Sequence, residues 1–217
     1  MTEAEWLRAA DLQGLAAMER YLEGLRTHRR KAGRRKIRLF GCACCRGVWE
    51  LLSDRERSWV AEAERIADGE VPVPPDANSR YSEIGFGAIE EGLAQARFAA
   101  FCTLSSSATL AAWTVAAHVC LATGPHQYAG HCRLLREVFG NPFAEVKMAK
   151  AWLRANDRAV ERLARGIYEE RAFDRLPILA DALEDAGCAN ADILGHLRSP
   201  GPHVRGCWVV DLCLGLS

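Results

Sequence analysis

The stretch FDRLPILADALEDAGCANADILGHL, residues 173–197, carries the signals of two successive α-helices. Asp174 precedes an apolar pattern of helical period, and Pro177 falls in its first turn, where the missing proline N–H removes no hydrogen bond. Gly187 ends that pattern, and Asn190 is a suitable cap for a second, shorter helix. The stretch therefore predicts a pair of short helices joined by a tight turn.

Helix signals of the same kind occupy most of the remaining sequence. Thr2 with Glu5, and Ser53 with Glu56, have the spacing of a capping box at the start of a helix. Alternation of apolar and polar residues, which would indicate strands, is nearly absent. We therefore expect an all-α, compact multi-helix domain of short to medium helices, with HEAT-like helix pairing in the C-terminal third as an open alternative.

The proline-rich segment VPVPPDANSR, residues 71–80, is the clearest interruption of the helical pattern. A chain of 217 residues suits one domain. We therefore expect residues 1–217 to form a single helical domain. A subdivision at the 70–80 loop, into an N-terminal part (1–70) and a main part (81–217), stays open.

The composition of the sequence bears on the cellular compartment of the protein and on the classes of partner that it could bind. The formal net charge is zero, so no overall attraction to nucleic acid or membranes follows. Nine cysteines, and an N-terminus that does not resemble a signal peptide, indicate free thiols in a reducing cytoplasm. Residues 98–132 contain no Asp, Glu, Lys or Arg. Their many alanine, serine and threonine residues nevertheless favour a central helix of a soluble protein over a membrane span.

Three blocks of the sequence are similar to a known family: KIRLFGCACCRGVWELLSDRERSWVAEAERIADG (36–69), LLREVFGNPF (134–143) and GIYEERAFDRLPILADALEDAGCANADILGHLRSPGPHVRGCWVVDLCLG (166–215). They resemble an uncharacterised bacterial family of helical proteins that is abundant in planctomycetes of the Gemmata type. The resemblance implies a soluble bacterial helical unit. It implies no activity, cofactor or catalytic residue.

The segment GCACC, residues 41–45, places three cysteines close together. On a helix, Cys44 falls on the apolar face and Cys45 on its margin, so both suit the core. Cys42 turns toward Arg38 and the other arginines nearby. Because positive neighbours favour the thiolate, Cys42 is the candidate reactive thiol.

Residue types that bind metals concentrate near the C-terminus. The candidate zinc ligands are Cys188, His196, His203 and Cys207. Their spacing matches no zinc motif. Cys188 and Cys207 also suit packing in an apolar core. A protein without any cofactor is therefore the alternative to a zinc protein. A second group is ascribed to local composition: His118, Cys120, His126, His131 and Cys132.

The segment HRRKAGRRKIR, residues 28–38, carries seven Lys and Arg residues and no acid. Positive charge at the start of a helix opposes the helix dipole, so an anionic partner is expected. This partner could be a ligand phosphate, anions of the salt, or acidic side chains of the protein such as Glu83, Glu90 and Glu91. The candidate anion-binding residues are Arg29, Arg30, Lys31, Arg34, Arg35, Lys36 and Arg38.

Common catalytic motifs are absent: the sequence has no phosphate-binding loop, nucleophile elbow or HExxH pattern. We therefore favour a non-catalytic cytoplasmic module for protein interaction or scaffolding, with another protein as its partner. Two alternatives stay open. One is nucleic-acid or phosphate binding through residues 29–38, and the other is metal binding or thiol redox chemistry.

Overall fold

A computed structural model describes residues 1–74 and 91–216. Over these residues the chain is helical and contains no strand, which confirms the predicted all-α class. No helix among them is long and apolar enough to cross a membrane. The α-helices are α1 (Glu3–Arg8), α2 (Leu12–Gly24), α3 (Lys31–Arg46), α4 (Asp54–Asp68), α5 (Glu91–Cys102), α6 (Ala108–Thr123), α7 (Gln127–Phe139), α8 (Lys150–Glu170), α9 (Leu176–Asp185), α10 (Ala191–Leu197) and α11 (Trp208–Leu214).

Several helices begin at the capping residues that the sequence predicts. Glu5 N–H donates to Thr2 Oγ1 at 3.3 Å, and Thr2 N–H donates to Glu5 Oε2 at 2.6 Å, which completes the capping box of α1. The second predicted capping box, at the start of α4, is also present. Asn190 caps α10, because its Oδ1 accepts the Ile193 N–H at 3.0 Å.

Asp174 does not cap α9 as the pattern predicts. It lies in a 3₁₀ turn, Phe173–Arg175, and α9 begins directly after that turn with Pro177 in its first turn. α8 is broken internally, since Asn156, Asp157 and Arg158 have φ values of 48°, 54° and 60°. Left-handed backbone at consecutive non-glycine residues interrupts the regular α-helix.

The chain forms two compact units, Met1–Leu135 and Arg136–Ser217. In the first unit, α3 packs against α4 and α6, and α5 packs against both α4 and α6. Helices on both sides of the proline-rich segment 71–80 therefore belong to one unit. Residues 75–90, which include most of that segment, lie outside the described residues.

The core of the first unit is built around α3, which is buried over most of its length. Leu39 and Phe40 are almost completely buried there. Gly41 faces α6, where a Cβ atom would lie only 3.2 Å from the Ala112 Cα. Glycine therefore permits the close approach of α3 and α6.

The core of the second unit is a single apolar cluster from α8 to α11. Its large buried members are Val160, Ile167, Tyr168, Leu176, Leu179, Leu183, Ile193, Leu194, Leu197, Val209 and Val210. Burial of this size is the main stabilising term of such a unit. The cluster fixes α10 and α11, and these helices position the polar residues described next.

Candidate metal centre

The second unit gathers four metal-ligand side chains at one point: Glu137, His196, His203 and Cys207. One possible ligand atom from each lies within 4.8 Å of every other. We call this group the Glu137 cluster. Three of its members are among the four candidate zinc ligands that the sequence predicted, and the fourth is an acid.

Each member of the Glu137 cluster comes from a different element. Glu137 lies in the last turn of α7, His196 lies in α10, and Cys207 is the N-cap residue of α11. His203 lies in the irregular segment between α10 and α11. Because α10 and α11 belong to one apolar core, their packing brings His196 and Cys207 together, and Glu137 reaches them from α7.

The position of His203 depends on a glycine turn. Gly201 has φ +89°, in the region that L side chains rarely adopt. A Cβ atom there would lie 2.7 Å from the His203 backbone nitrogen. Glycine at 201 therefore lets the segment fold back so that the His203 side chain reaches Glu137.

Three donor pairs of the cluster lie close to the edge length of a zinc tetrahedron. His196 Nε2 lies 3.2 Å from Glu137 Oε2 and 3.3 Å from Cys207 Sγ. His203 Nδ1 lies 3.3 Å from both carboxylate oxygens of Glu137. Bonds of about 2.0–2.1 Å to nitrogen or oxygen and about 2.3 Å to sulfur give tetrahedron edges of about 3.3–3.6 Å. In the protein without a metal these contacts are hydrogen bonds and ion pairs that are longer than the usual 2.9–3.0 Å.

The ring nitrogens that face the centre can be assigned from their other contacts. His203 Nε2 lies 3.0 Å from the Ser199 carbonyl oxygen, which can only accept, so Nε2 carries the hydrogen. In the neutral ring, Nδ1 then carries the lone pair that a cation would use; in the protonated ring, Nδ1 donates to Glu137 instead. An imidazole whose second nitrogen donates to a carbonyl is the usual outer support of a metal ligand. His196 presents Nε2, and its ring lies 5.1 Å from the Trp208 ring.

Burial governs the electrostatics of the cluster. Only 3% of the Glu137 side chain is exposed. Burial raises the pKa of Glu137, but hydrogen bonds from His196 and His203 outweigh it, so the pKa is lowered and the carboxylate is charged. Burial lowers the pKa of His203, but Glu137 outweighs it and the pKa is raised.

Cys207 is the donor that a cation would change most. Its side chain is fully buried, and burial together with the Glu137 charge raises its pKa well above the ordinary value. Backbone amides of Val209 and Val210 act in the opposite direction. A divalent cation at the centre of the cluster would reverse this balance, because a coordinating thiol loses its proton outright.

The structure does not bring Cys188 together with the other three predicted ligands. Cys188 is buried in the apolar core, and its charge would raise the pKa of Cys213, which places the two thiols near each other. The sequence analysis missed Glu137, which lies far away along the chain. An available signal was its helix face, since Leu134 and Val138 on either side of it are buried core residues.

The three cysteines of residues 41–45 are all buried. Cys44 and Cys45 lie in the core, and burial raises the pKa of each well above the ordinary value. Cys42 is also buried and lies near Arg38, as its helix position predicts. Burial removes the access to solvent that a reactive thiol needs.

The basic segment divides into buried and exposed residues. Arg35 is buried and pairs with Asp68 at 2.9 Å. Arg38 is buried and donates to the carbonyl oxygens of Thr103 and Ser105 at 2.6 and 2.8 Å. Lys36 is half-buried, and the exposed residues of the segment are Arg29, Arg30, Lys31 and Arg34. The suggested acidic partners Glu83 and Glu90, and the side chain of Glu91, lie outside what the structure describes.

The contact between Cys120 and His131 in the first unit resembles a catalytic cysteine–histidine pair, but the pKa values of the two groups do not suit catalysis. Cys120 Sγ lies 3.4 Å from His131 Nδ1, and both side chains are buried. Burial raises the pKa of Cys120 to about 11 and lowers the pKa of His131 to about 4. Both groups are therefore neutral near pH 7, and no thiolate–imidazolium pair forms.

Comparison of the chain with protein-family models, with curated proteins and with solved structures found no match. The resemblance to the planctomycete family therefore stays a prediction, as does the HEAT-like pairing.

Proposed function

We propose that this chain is a zinc-binding helical protein, with one Zn²⁺ held by the Glu137 cluster in the second unit. The observation that supports the proposal most directly is the spacing of the donors. Four donor atoms from four separate elements lie within 4.8 Å of one another, and three of the six donor pairs are 3.2–3.3 Å apart, close to the edge of a zinc tetrahedron.

The donor set favours zinc among the common divalent cations. Two imidazoles, one thiol and one carboxylate form a nitrogen, sulfur and oxygen site. Magnesium and calcium prefer oxygen ligands only, in six-fold or higher coordination. Copper competes by affinity, but four tetrahedral donors that include a thiolate suit zinc.

A structural role suits this site better than catalysis. Catalytic zinc usually has three protein ligands and keeps one position for water or substrate. Here the chain itself supplies four donors, and Glu137 and Cys207 are almost completely buried. A closed site of this kind agrees with the non-catalytic role expected from the sequence, and the protein-interaction partner stays a prediction.

Metal analysis of the purified protein tests the proposal. The full chain is expressed without a metal-binding tag, passed through a desalting column, and assayed for zinc and for protein. We expect about one zinc per chain, removable by a strong chelator at equilibrium and restored by added Zn²⁺. A chain that contains no metal and takes up none on titration would refute it.

A further inference from the structure

The segment Ser199–Gly206, between α10 and α11, is the part of the second unit most dependent on the Glu137 cluster. It contains no helix. Ser199 N–H donates to the His196 carbonyl at 3.1 Å at one end, and Cys207 N–H donates to the Val204 carbonyl at 2.9 Å at the other. Among the described residues, the hydrogen bonds that join residues 200–204 to other elements end on Glu137.

Two contacts join the middle of the segment to α7, and both end on Glu137. His203 Nδ1 lies 3.3 Å from the carboxylate, and the Val204 N–H donates to Glu137 Oε1 at 3.4 Å. A contact of 3.4 Å is a weak hydrogen bond. A metal bonded to both Glu137 and His203 would replace this weak connection with two coordinate bonds.

The apolar core of the unit does not include the segment. Of the residues described in this unit, those that form the core lie before Arg198 or after Gly206. Arg205 gives one further attachment, because its guanidinium carbon lies 4.5 Å from the centre of the Tyr168 ring. The residues that metal release would free are therefore 199–204.

We propose that zinc occupancy controls the conformation of residues 199–204, so that the metal acts as a clasp for one surface segment rather than as a condition for folding of the whole unit. This inference rests on the proposed zinc site. Zinc bound only by the closed conformer lowers the open population by a factor of 1 + [Zn²⁺]/Kd. Free zinc at about 1,000 times Kd therefore reduces opening about 1,000-fold.

Hydrogen–deuterium exchange on the full chain tests the clasp. Exchange is followed in peptides that cover 198–207 and in peptides that cover α9, with Zn²⁺ and with EDTA. We expect the Val204 amide, which donates to Glu137, to exchange at least tenfold faster in EDTA, and amides of α9 to exchange at the same rate in both. Metal content is measured on the same samples.

Each other outcome has a distinct meaning. Zinc bound at one per chain, with no change in exchange at 199–204, would overturn the clasp and leave the zinc site intact. Faster exchange throughout α8 to α11 in EDTA would also overturn it, because the metal would then hold the whole unit. Failure to bind zinc would overturn the proposed function itself.

A glycine substitution tests the same point without a chelator. Gly201→Ala places a Cβ atom 2.7 Å from the His203 backbone nitrogen at a φ of +89°, which disfavours the closed segment. We expect zinc affinity to fall at least tenfold. The matched control is Gly166→Ala in α8, where a Cβ atom meets nothing within 4 Å. Equal zinc affinity of the two variants would contradict the clasp.

Discussion

Acid should destabilise the first unit through His131, a buried histidine of α7. Only 2% of the residue is exposed, and its ring lies edge-on to Phe40 at 6.4 Å. Burial lowers its pKa from 6.5 to about 4. Cys120, which it contacts, has its pKa raised to about 11 and stays neutral throughout the relevant range.

The sign follows from proton uptake in each state. Below pH 6.5 the unfolded chain protonates His131, whereas the folded chain does so only near pH 4. The unfolded state therefore binds more protons, and the free energy of unfolding falls as the pH falls through this window. The gap between the two values corresponds to about 3.4 kcal/mol. About 2.5 kcal/mol of this should be lost between pH 7.5 and 4.5.

The assay is urea unfolding of the full chain, followed by tryptophan fluorescence at several pH values between 7.5 and 4.5. His131→Leu cannot take up a proton, so the difference in stability between wild type and variant should change by about 2.5 kcal/mol over this range. The lowered pKa of His118 acts in the same direction but cancels, because both proteins retain it. His126→Leu, at an exposed position, is the control.

Parallel pH dependence of wild type and His131→Leu would refute this reasoning. It would mean that the folded protein accommodates the imidazolium without cost. His131→Gln provides a second variant if the leucine protein does not fold. It removes the same titrating group and keeps a polar side chain.

Three further results are expected. All nine cysteines are buried, so a thiol reagent should leave the native protein almost unreacted and should titrate nine thiols after denaturation. A thiol that reacts fast in the native protein would contradict this and would make Cys42 a candidate reactive thiol again. Gly41→Ala should destabilise the first unit by about 1–3 kcal/mol through its contact with Ala112, whereas Gly24→Ala should not; equal urea midpoints would contradict this. Neutralising the exposed cations of residues 29–34 should lower salt-sensitive retention on heparin, and a wild type that is not retained would count against nucleic-acid binding.

The sequence predicted those features that depend on neighbouring residues. The cap at Asn190 and the capping box of Thr2 and Glu5 form between groups three positions apart, so one window of sequence contains the whole interaction. The break of α8 also has a local signal, because Asn156 and Asp157 are typical residues at the start of a helix and predict a new one there. The left-handed backbone there is set by the folded chain around it.

The candidate site was predictable only in part, for a related reason. His196, His203 and Cys207 lie close in sequence and are typical metal ligands, which is why they were found. Cys188 has the same chemistry and the same neighbourhood, but its side chain packs into the apolar core. Glu137 reaches the cluster only through the three-dimensional arrangement of the second unit, and spacing along the chain does not reveal that.

Cobalt substitution tests the zinc site most directly. Co²⁺ is titrated into metal-free wild type and into the variants Cys207→Ala and Cys188→Ala, which remove two buried thiols of the same unit. Wild type and Cys188→Ala should bind one equivalent, with the intense visible absorption of tetrahedral cobalt and a sulfur-to-metal charge-transfer band. Cys207→Ala should lose that band, and its affinity should fall by more than the 10–100-fold typical of lost outer-shell partners. An unchanged spectrum in Cys207→Ala, or no cobalt spectrum in the wild type, would contradict the assignment of the Glu137 cluster as a metal site.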